Sequence, residues 1–207
     1  MIDSYNDVCA VILTGGRSSR MGGGIKSLKK FNNKLIFDRI FENLKNQINK
    51  IIINSNDSEN LFNSYNVEII KDSFGGVLGP LAGIHAALEW TTIHYPHINW
   101  LITVPGDTPF IPNNLVKKLL IKTKKGKHKI VLAKSNKKTH PIIGVWHLSL
   151  YKSLKNDLNS GVRKILDWAS KHPLGYADFT NSKYDPFFNI NYEEDIIKAQ
   201  EIENNYI

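Results

Sequence analysis

Apolar residues along the chain fall into short unbroken runs separated by stretches of helical spacing, and each run stops at a small or polar residue. Val8, Cys9, Ala10, Val11, Ile12 and Leu13 form the first run, apolar at every position, as a strand buried on both faces requires. Gly15 and Gly16 end it. Leu35, Ile36, Ile40, Phe41, Leu44 and Ile48 then keep a helical period, and 51–53 reads as a second buried strand that stops at Asn54. A shorter helix over 59–65 leads to a strand over 67–70, which stops at Lys71 and Asp72. Gly79-Pro80-Leu81-Ala82-Gly83 opens a helix that runs to about Thr91, and 100–104 forms a strand ending in Pro105-Gly106-Asp107.

The second half continues the alternation. A helix is expected over 113–122, strands over 130–133 and 141–146 that are partly antiparallel, and helices over 150–158 and 163–170 with Gly161 between them. The last segment carries no clear period. Strands that alternate with helices predict an α/β chain: a single domain over 1–207, three-layered (αβα) and Rossmann-like, with a mainly parallel sheet.

In open sheets of this kind, ligands gather beyond the carboxyl ends of the strands. Gly15, Asn54, Asp72 and Asp107 each follow a predicted strand, so one crevice can receive all four. The segment from Leu13 to Lys26 adds the chemistry of a phosphate site: glycines that let the backbone come close, Arg17, Arg20 and a lysine. It is not a Walker loop, because Ile25 precedes Lys26-Ser27, and it lacks the last glycine of the dinucleotide fingerprint. Taken alone it reads equally well as a basic surface loop. Asp107, on a turn stiffened by Pro105, Pro109 and Pro112, suits either a Mg²⁺ anchor or the cap of the following helix.

Composition narrows the classes. The chain has 207 residues, 42% of them hydrophobic, and a formal charge of +8. No apolar stretch approaches the length that crosses a bilayer, and the polar N-terminus is unlike a secretory signal, so a cytoplasmic location without membrane contact is expected. Cys9, the sole cysteine, is expected to be a small buried hydrophobe rather than a nucleophile. The lysine block over 122–129 has no interleaved aromatics and reads as a solvated connection, which argues against a nucleic-acid partner.

Leu13-Thr14-Gly15-Gly16 runs through Arg20-Met21-Gly22-Gly23 to Lys26, and Asn54, Asp72-Ser73, Gly79 to Gly83, Asp107-Thr108-Pro109 and Asn189-Ile190-Asn191 follow. In these motifs and their order, from about 8 to 195, the residues resemble the MobA family of molybdenum cofactor guanylyltransferases. The resemblance implies a nucleotidyltransferase domain that moves GMP from GTP to the terminal phosphate of molybdenum-bound molybdopterin and releases pyrophosphate. It implies Mg²⁺ on Asp107, Lys26 and Arg20 against the phosphates, and Leu13, Thr14, Gly15, Gly16, Asn54 and Asp72 around the guanosine. Asn189 and Asn191 fall to the pterin side or the metal shell, and His140-Pro141 to a position before a strand where the histidine is either structural or touches the pterin.

Transient contacts with molybdenum cofactor biosynthesis proteins or molybdoenzyme chaperones are implied as well. Leu-x-Gly-Gly and Gly-Pro-Leu-Ala-Gly resemble the guanylyl branch rather than its cytidylyl relatives. The chain departs from the pattern in three places. Thr14 stands for an alanine and brings a hydroxyl near the base. Ile25 stands for an aspartate before Lys26. Tyr192-Glu193 follows Asn191 where Thr-Pro is common, so Asn191 is alternatively a helix cap answered by Glu194. Rival readings are a nucleotidyltransferase acting with CTP or on a sugar or polyol phosphate, and a nucleotide-binding protein without turnover.

Overall fold

The computed structural model describes residues 5–15, 26–56, 59–75, 79–181 and 183–207. Within them the elements run β1 (Val8–Leu13), β2 (Lys30–Phe31), β3 (Lys34–Leu35), α1 (Ile36–Lys45), β4 (Ile51–Asn54) and β5 (Glu68–Ile70). α2 (Pro80–His94), β6 (Trp100–Pro105), α3 (Leu115–Gly126), β7 (Ile130–Ser135), β8 (Lys138–His147), α4 (Tyr151–Asn159), α5 (Ile165–Ala169), β9 (Leu174–Asp178) and α6 (Glu193–Tyr206) follow. The segment expected as a helix over 59–65 is a 3-10 helix.

Seven strands form one sheet in the order β5-β4-β1-β6-β8-β7-β9, with β8 alone running against its neighbours. β1 shows why its sequence is apolar at every position. Val8, Ala10 and Ile12 pack with Phe37 and Ile40 of α1, Val116 and Leu119 of α3 and Ala199 of α6. Cys9, Val11 and Leu13 point the other way, into a core with Leu81 and Ile84 of α2, Leu154 of α4 and Trp168 of α5. Period-two alternation thus feeds two cores, one on each face. Burial pushes the Cys9 thiol up to about 12, so it stays protonated and inert.

Register sets the height of the site. Leu13 lies level with Asn54 of β4 on one side and Pro105 of β6 on the other, and Asn54 lies level with Ile70 of β5. Four parallel strands therefore end on one ledge. β8 runs the other way, so its first residues reach that ledge rather than its last.

Two expectations need correction. The helical period assigned from Leu35 begins at Ile36, because Lys34 and Leu35 pair with Lys30 and Phe31 in a small hairpin whose turn residues Asn32 and Asn33 take positive φ. The lysine block is largely helix: α3 continues to Gly126, burying Leu119, Leu120 and Thr123 while Lys122, Lys124 and Lys125 face solvent. The end of the chain supplies a further edge strand, β9, and the helix α6. No helix among the described residues is long and apolar enough to cross a membrane.

Candidate active site

The ledge is the floor of a cavity of about 790 Å³, within the range of small-molecule and cofactor sites. Of the residues expected to bind, Leu13, Thr14, Gly15, Lys26, Asn54, Asp72, Asp107 and Asn189 line it. Gly16 and Arg20 lie outside the described residues. Asn191 stands behind Lys26, as shown below.

One wall is built from the ends of β1, β4 and β5. The Thr14 amide and hydroxyl both donate to the Asn54 carbonyl, at 3.0 and 2.9 Å, so the hydroxyl expected near the base is spent inside the wall. Asn54 is buried, and its amide nitrogen donates to Asp72 Oδ1 at 3.0 Å. Asn56 completes a clasp: its Nδ2 donates to Asp72 Oδ2 at 2.8 Å and its Oδ1 accepts from the Asp72 amide at 2.9 Å. Both carboxylate oxygens are thereby held in a fixed plane, each with lone-pair capacity left. α2 closes this side through Gly79, Pro80 and Gly83. Gly79 takes φ of +71°, and Pro80 is pre-set for the first helical position. At Gly83 a Cβ would run into Asn54 Oδ1 and come within 3.1 Å of Leu13 Cδ2, so only glycine lets the helix approach this closely.

Asp107 sits where β6 ends and is half-buried, with Thr108 Oγ1 at 3.4 Å. Burial raises its carboxyl above the ordinary range, and the Lys26 ammonium opposes that rise. It does not cap α3, which starts at Leu115 with Asn114 at the cap position. Lys26 Nζ donates to Asn191 Oδ1 at 2.7 Å. Asn191 is held in turn, because Asp195 Oδ2 accepts from the amides of Asn191 and Tyr192, both at 2.9 Å. Asp195, not Glu194, is therefore the reciprocal partner at the start of α6, with Tyr192 at the cap. The Ile190 amide donates to the Asp107 carbonyl at 2.9 Å, which straps this segment to the β6 turn.

The donor set at the Asp107 and Lys26 end of the cavity suits a hard divalent cation. No cluster of three or more His, Cys, Asp or Glu side chains exists there among the described residues, so a cage made of protein alone does not form. Asp107 is a desolvated carboxylate whose charge Lys26 offsets only in part, and Ser27 Oγ beside Lys26 is buried without a partner among the described residues. Mg²⁺ suits such a place because it takes one or two carboxylates and fills its shell with phosphate oxygens and water.

The opposite wall comes from the start of β8 and the segment before α6: Lys138, Thr139, His140, Pro141, Ile142 and Phe187. Asn56, Ser27 and Asp195 escaped the reading of the sequence. Asn56 carried a usable signal, being a second polar residue just past a strand end. Asp195, three residues past the cap, was another.

A family model described as the MobA-like NTP transferase domain matches residues 10–174. The chain belongs to that family. Membership makes it a nucleotidyltransferase. The chain is 35% identical over 193 residues to a protein of Nitrobacter hamburgensis named molybdenum cofactor guanylyltransferase, covering 93% of this chain and 92% of that one. A protein of the same name from Shewanella pealeana is 34% identical over 187 residues, 90% of each chain. Among solved structures, molybdopterin-guanine dinucleotide biosynthesis protein A of Archaeoglobus fulgidus superposes with a TM-score of 0.76 at 25% identity, covering 95% and 98% of the two chains. A 4-diphosphocytidyl-2C-methyl-D-erythritol synthase of Anaerococcus prevotii shares the fold, with a TM-score of 0.72 at 14% identity.

Proposed function

We propose that this MobA-like chain transfers GMP from GTP to the terminal phosphate of molybdenum-bound molybdopterin, forming the guanine dinucleotide form of the cofactor and releasing pyrophosphate. The observation that carries the reading is the placement of Asp107 and Lys26 between two walls of one cavity, one rich in paired amides and a carboxylate, the other carrying an imidazole, a phenyl ring and Lys138. Relatives named for guanylyl transfer at 35% and 34% identity support the choice of nucleotide.

The reaction needs no protein nucleophile. An oxygen of the acceptor phosphate attacks the α-phosphorus in line, the P–O bond to the β-phosphate breaks, and pyrophosphate leaves with the electron pair. The enzyme's task is to align two anions and to stabilise charge on the leaving group. Asn54 and the Asp72 carboxylate, planed by Asn56, take the donors of the guanosine, with Leu13 to Gly15 beneath it. Lys26, aimed by Asn191, meets phosphate oxygens, joined by Arg20. Mg²⁺, when bound at Asp107, supplies charge neutralisation across the phosphates. Asn189 lines the same end and contributes an amide to the acceptor or the phosphates. A cytoplasmic setting, and brief contacts with the proteins that deliver molybdopterin or accept the dinucleotide, belong to the same reading.

The test is pyrophosphate release from molybdopterin with GTP, CTP and UTP in turn, with Mg²⁺ present. Turnover confined to GTP is the expected result. Turnover with CTP alone, or only with a sugar or polyol phosphate as acceptor, overturns the assignment.

A further inference from the structure

His140 is held by a buried chain of hydrogen bonds that the nucleotide chemistry leaves unexplained. Its Nε2 lies 2.7 Å from Ser135 Oγ, and Ser135 Oγ donates to Asp185 Oδ1 at 2.7 Å. The Phe187 amide donates to the same carboxylate oxygen at 2.9 Å. Ser135 is fully buried and His140 is only 8% exposed. The directions follow from counting protons. An ionised carboxylate only accepts, so the single hydroxyl proton of Ser135 points at Asp185. The Ser135 oxygen then accepts, and Nε2 of His140 must carry the ring proton. Nδ1 is left as a bare lone pair. No described residue bonds it, and His140 lines the cavity across from Asp72. Phe187 lies 4.8 Å from the imidazole, centroid to centroid, and lines the cavity beside it.

From this geometry we infer that His140 is a specificity-determining residue for the acceptor: its Nδ1 accepts a hydrogen bond from an N–H group on the acceptor's heterocycle, which lies against Phe187. Ser135 and Asp185 are positioning residues that fix the tautomer and the plane of the ring. The inference rests on the guanylyl-transfer reading, because a pterin carries ring N–H and amino donors along its pyrimidine edge, whereas a sugar or polyol phosphate offers only hydroxyls and no flat ring. Burial lowers the affinity of His140 for a second proton, with Asp185 opposing and Lys138 reinforcing, which keeps the imidazole neutral and Nδ1 an acceptor.

Kinetics of the full chain with GTP, Mg²⁺ and molybdopterin test this. His140→Phe keeps a flat ring and removes the acceptor atom, so KM for molybdopterin should rise about tenfold while the Kd for GTP, measured by titration calorimetry, stays unchanged. His140→Gln retains a donor for Ser135 and an acceptor for the ligand, and should recover most of that loss. Ser135→Ala frees the ring to turn and should give an intermediate KM with kcat little altered. An unchanged molybdopterin KM in His140→Phe, in a chain that turns over and melts like the wild type, overturns the inference and leaves the guanylyl reading standing. No turnover of molybdopterin by the wild-type chain with GTP overturns the reading, and the inference falls with it.

Discussion

The two walls of the cavity are built on opposite terms. On the side of β1, β4 and β5, polar groups satisfy one another: Thr14 on Asn54, and Asn54 and Asn56 on Asp72. On the side of β8 the relay from Asp185 through Ser135 ends in His140, which lines the cavity and whose second ring nitrogen has no bond from the described residues. The first wall is preorganised by its own bonds and by a helix packed within reach of Asn54, which suits the reading of one particular base. The second holds a single acceptor in place and leaves the space before it open. Asp107 and Lys26 lie at the seam, where a group belonging to neither wall alone must serve both substrates.

The seam gives the largest expected effect. Asp107→Asn keeps the shape of the turn and removes the charge, so turnover should fall on the order of 10³-fold, as when one charge-stabilising group is taken from a preorganised site. Stability should move the other way. Burial raises the folded-state pKa of Asp107, so the favourable contribution of this group is complete at low pH and is lost as pH rises through the folded value. The asparagine variant should therefore melt at a higher temperature than wild type at neutral pH, and the gap should close as pH falls through the carboxylate range. Thermal unfolding followed by circular dichroism across pH, beside pyrophosphate release, checks both halves. Equal melting temperatures at every pH would show that the carboxylate carries no desolvation cost, and undiminished turnover would place the metal elsewhere.

The contrast between the walls also governs what the sequence disclosed. A parallel strand hands its next residues to the ledge, so Asn54, Asp72 and Asp107 were legible from the ends of three apolar runs. β8 runs the other way and presents its first residues, so no apolar run ended at His140, and only the family resemblance offered it a place, as a structural residue or a pterin contact. Nothing local marked the relay, in which Ser135 lies 5 positions from His140 and Asp185 lies 50 positions from Ser135. The bond from Lys26 to Asn191 spans 165 positions and exists only because the segment before α6 is strapped to β6. The β2 and β3 hairpin is too short for alternation to show, with two residues in each strand. α6 buries only Ala199 fully and so has little apolar stripe to read. The lysines beyond 122 disguised only the last turn of α3 as a connection, since the helix expected over 113–122 covers the rest.

Gly83→Ala should produce the next largest effect, and on one wall alone. The added Cβ collides with Asn54 Oδ1, and Asn54 cannot yield without loosening its bond to Asp72. Overpacking of this kind costs about 1–3 kcal/mol, which predicts a GTP affinity lower by roughly tenfold or more. Alanine's better helix propensity returns about 1 kcal/mol to α2, so the melting temperature should change little. The KM for the acceptor should stay as it is. Equal losses in the affinity for GTP and for the acceptor would dissolve the distinction between the walls.

Asn56→Ala gives the smallest and sharpest test, because it removes one half of a clasp and leaves the other. Asn56 is exposed, so its bonds to Asp72 compete with water and are worth less than the buried bond from Asn54. Loss of about 0.5–1 kcal/mol predicts a two- to fivefold weaker Kd for GTP. Asn54→Ala should cost more, since it also strips a buried partner from Asp72. If the two amides act only by holding the carboxylate in plane, the double variant should lose more than the sum of the single losses, because either amide alone still restrains Asp72 and the last restraint disappears only when both are gone. Strict additivity would instead mean that Asn56 and Asn54 each act independently of that shared carboxylate. Titration of GTP against the four chains separates the two outcomes, and an Asn56→Ala affinity equal to wild type would show that Asn54 suffices to orient Asp72.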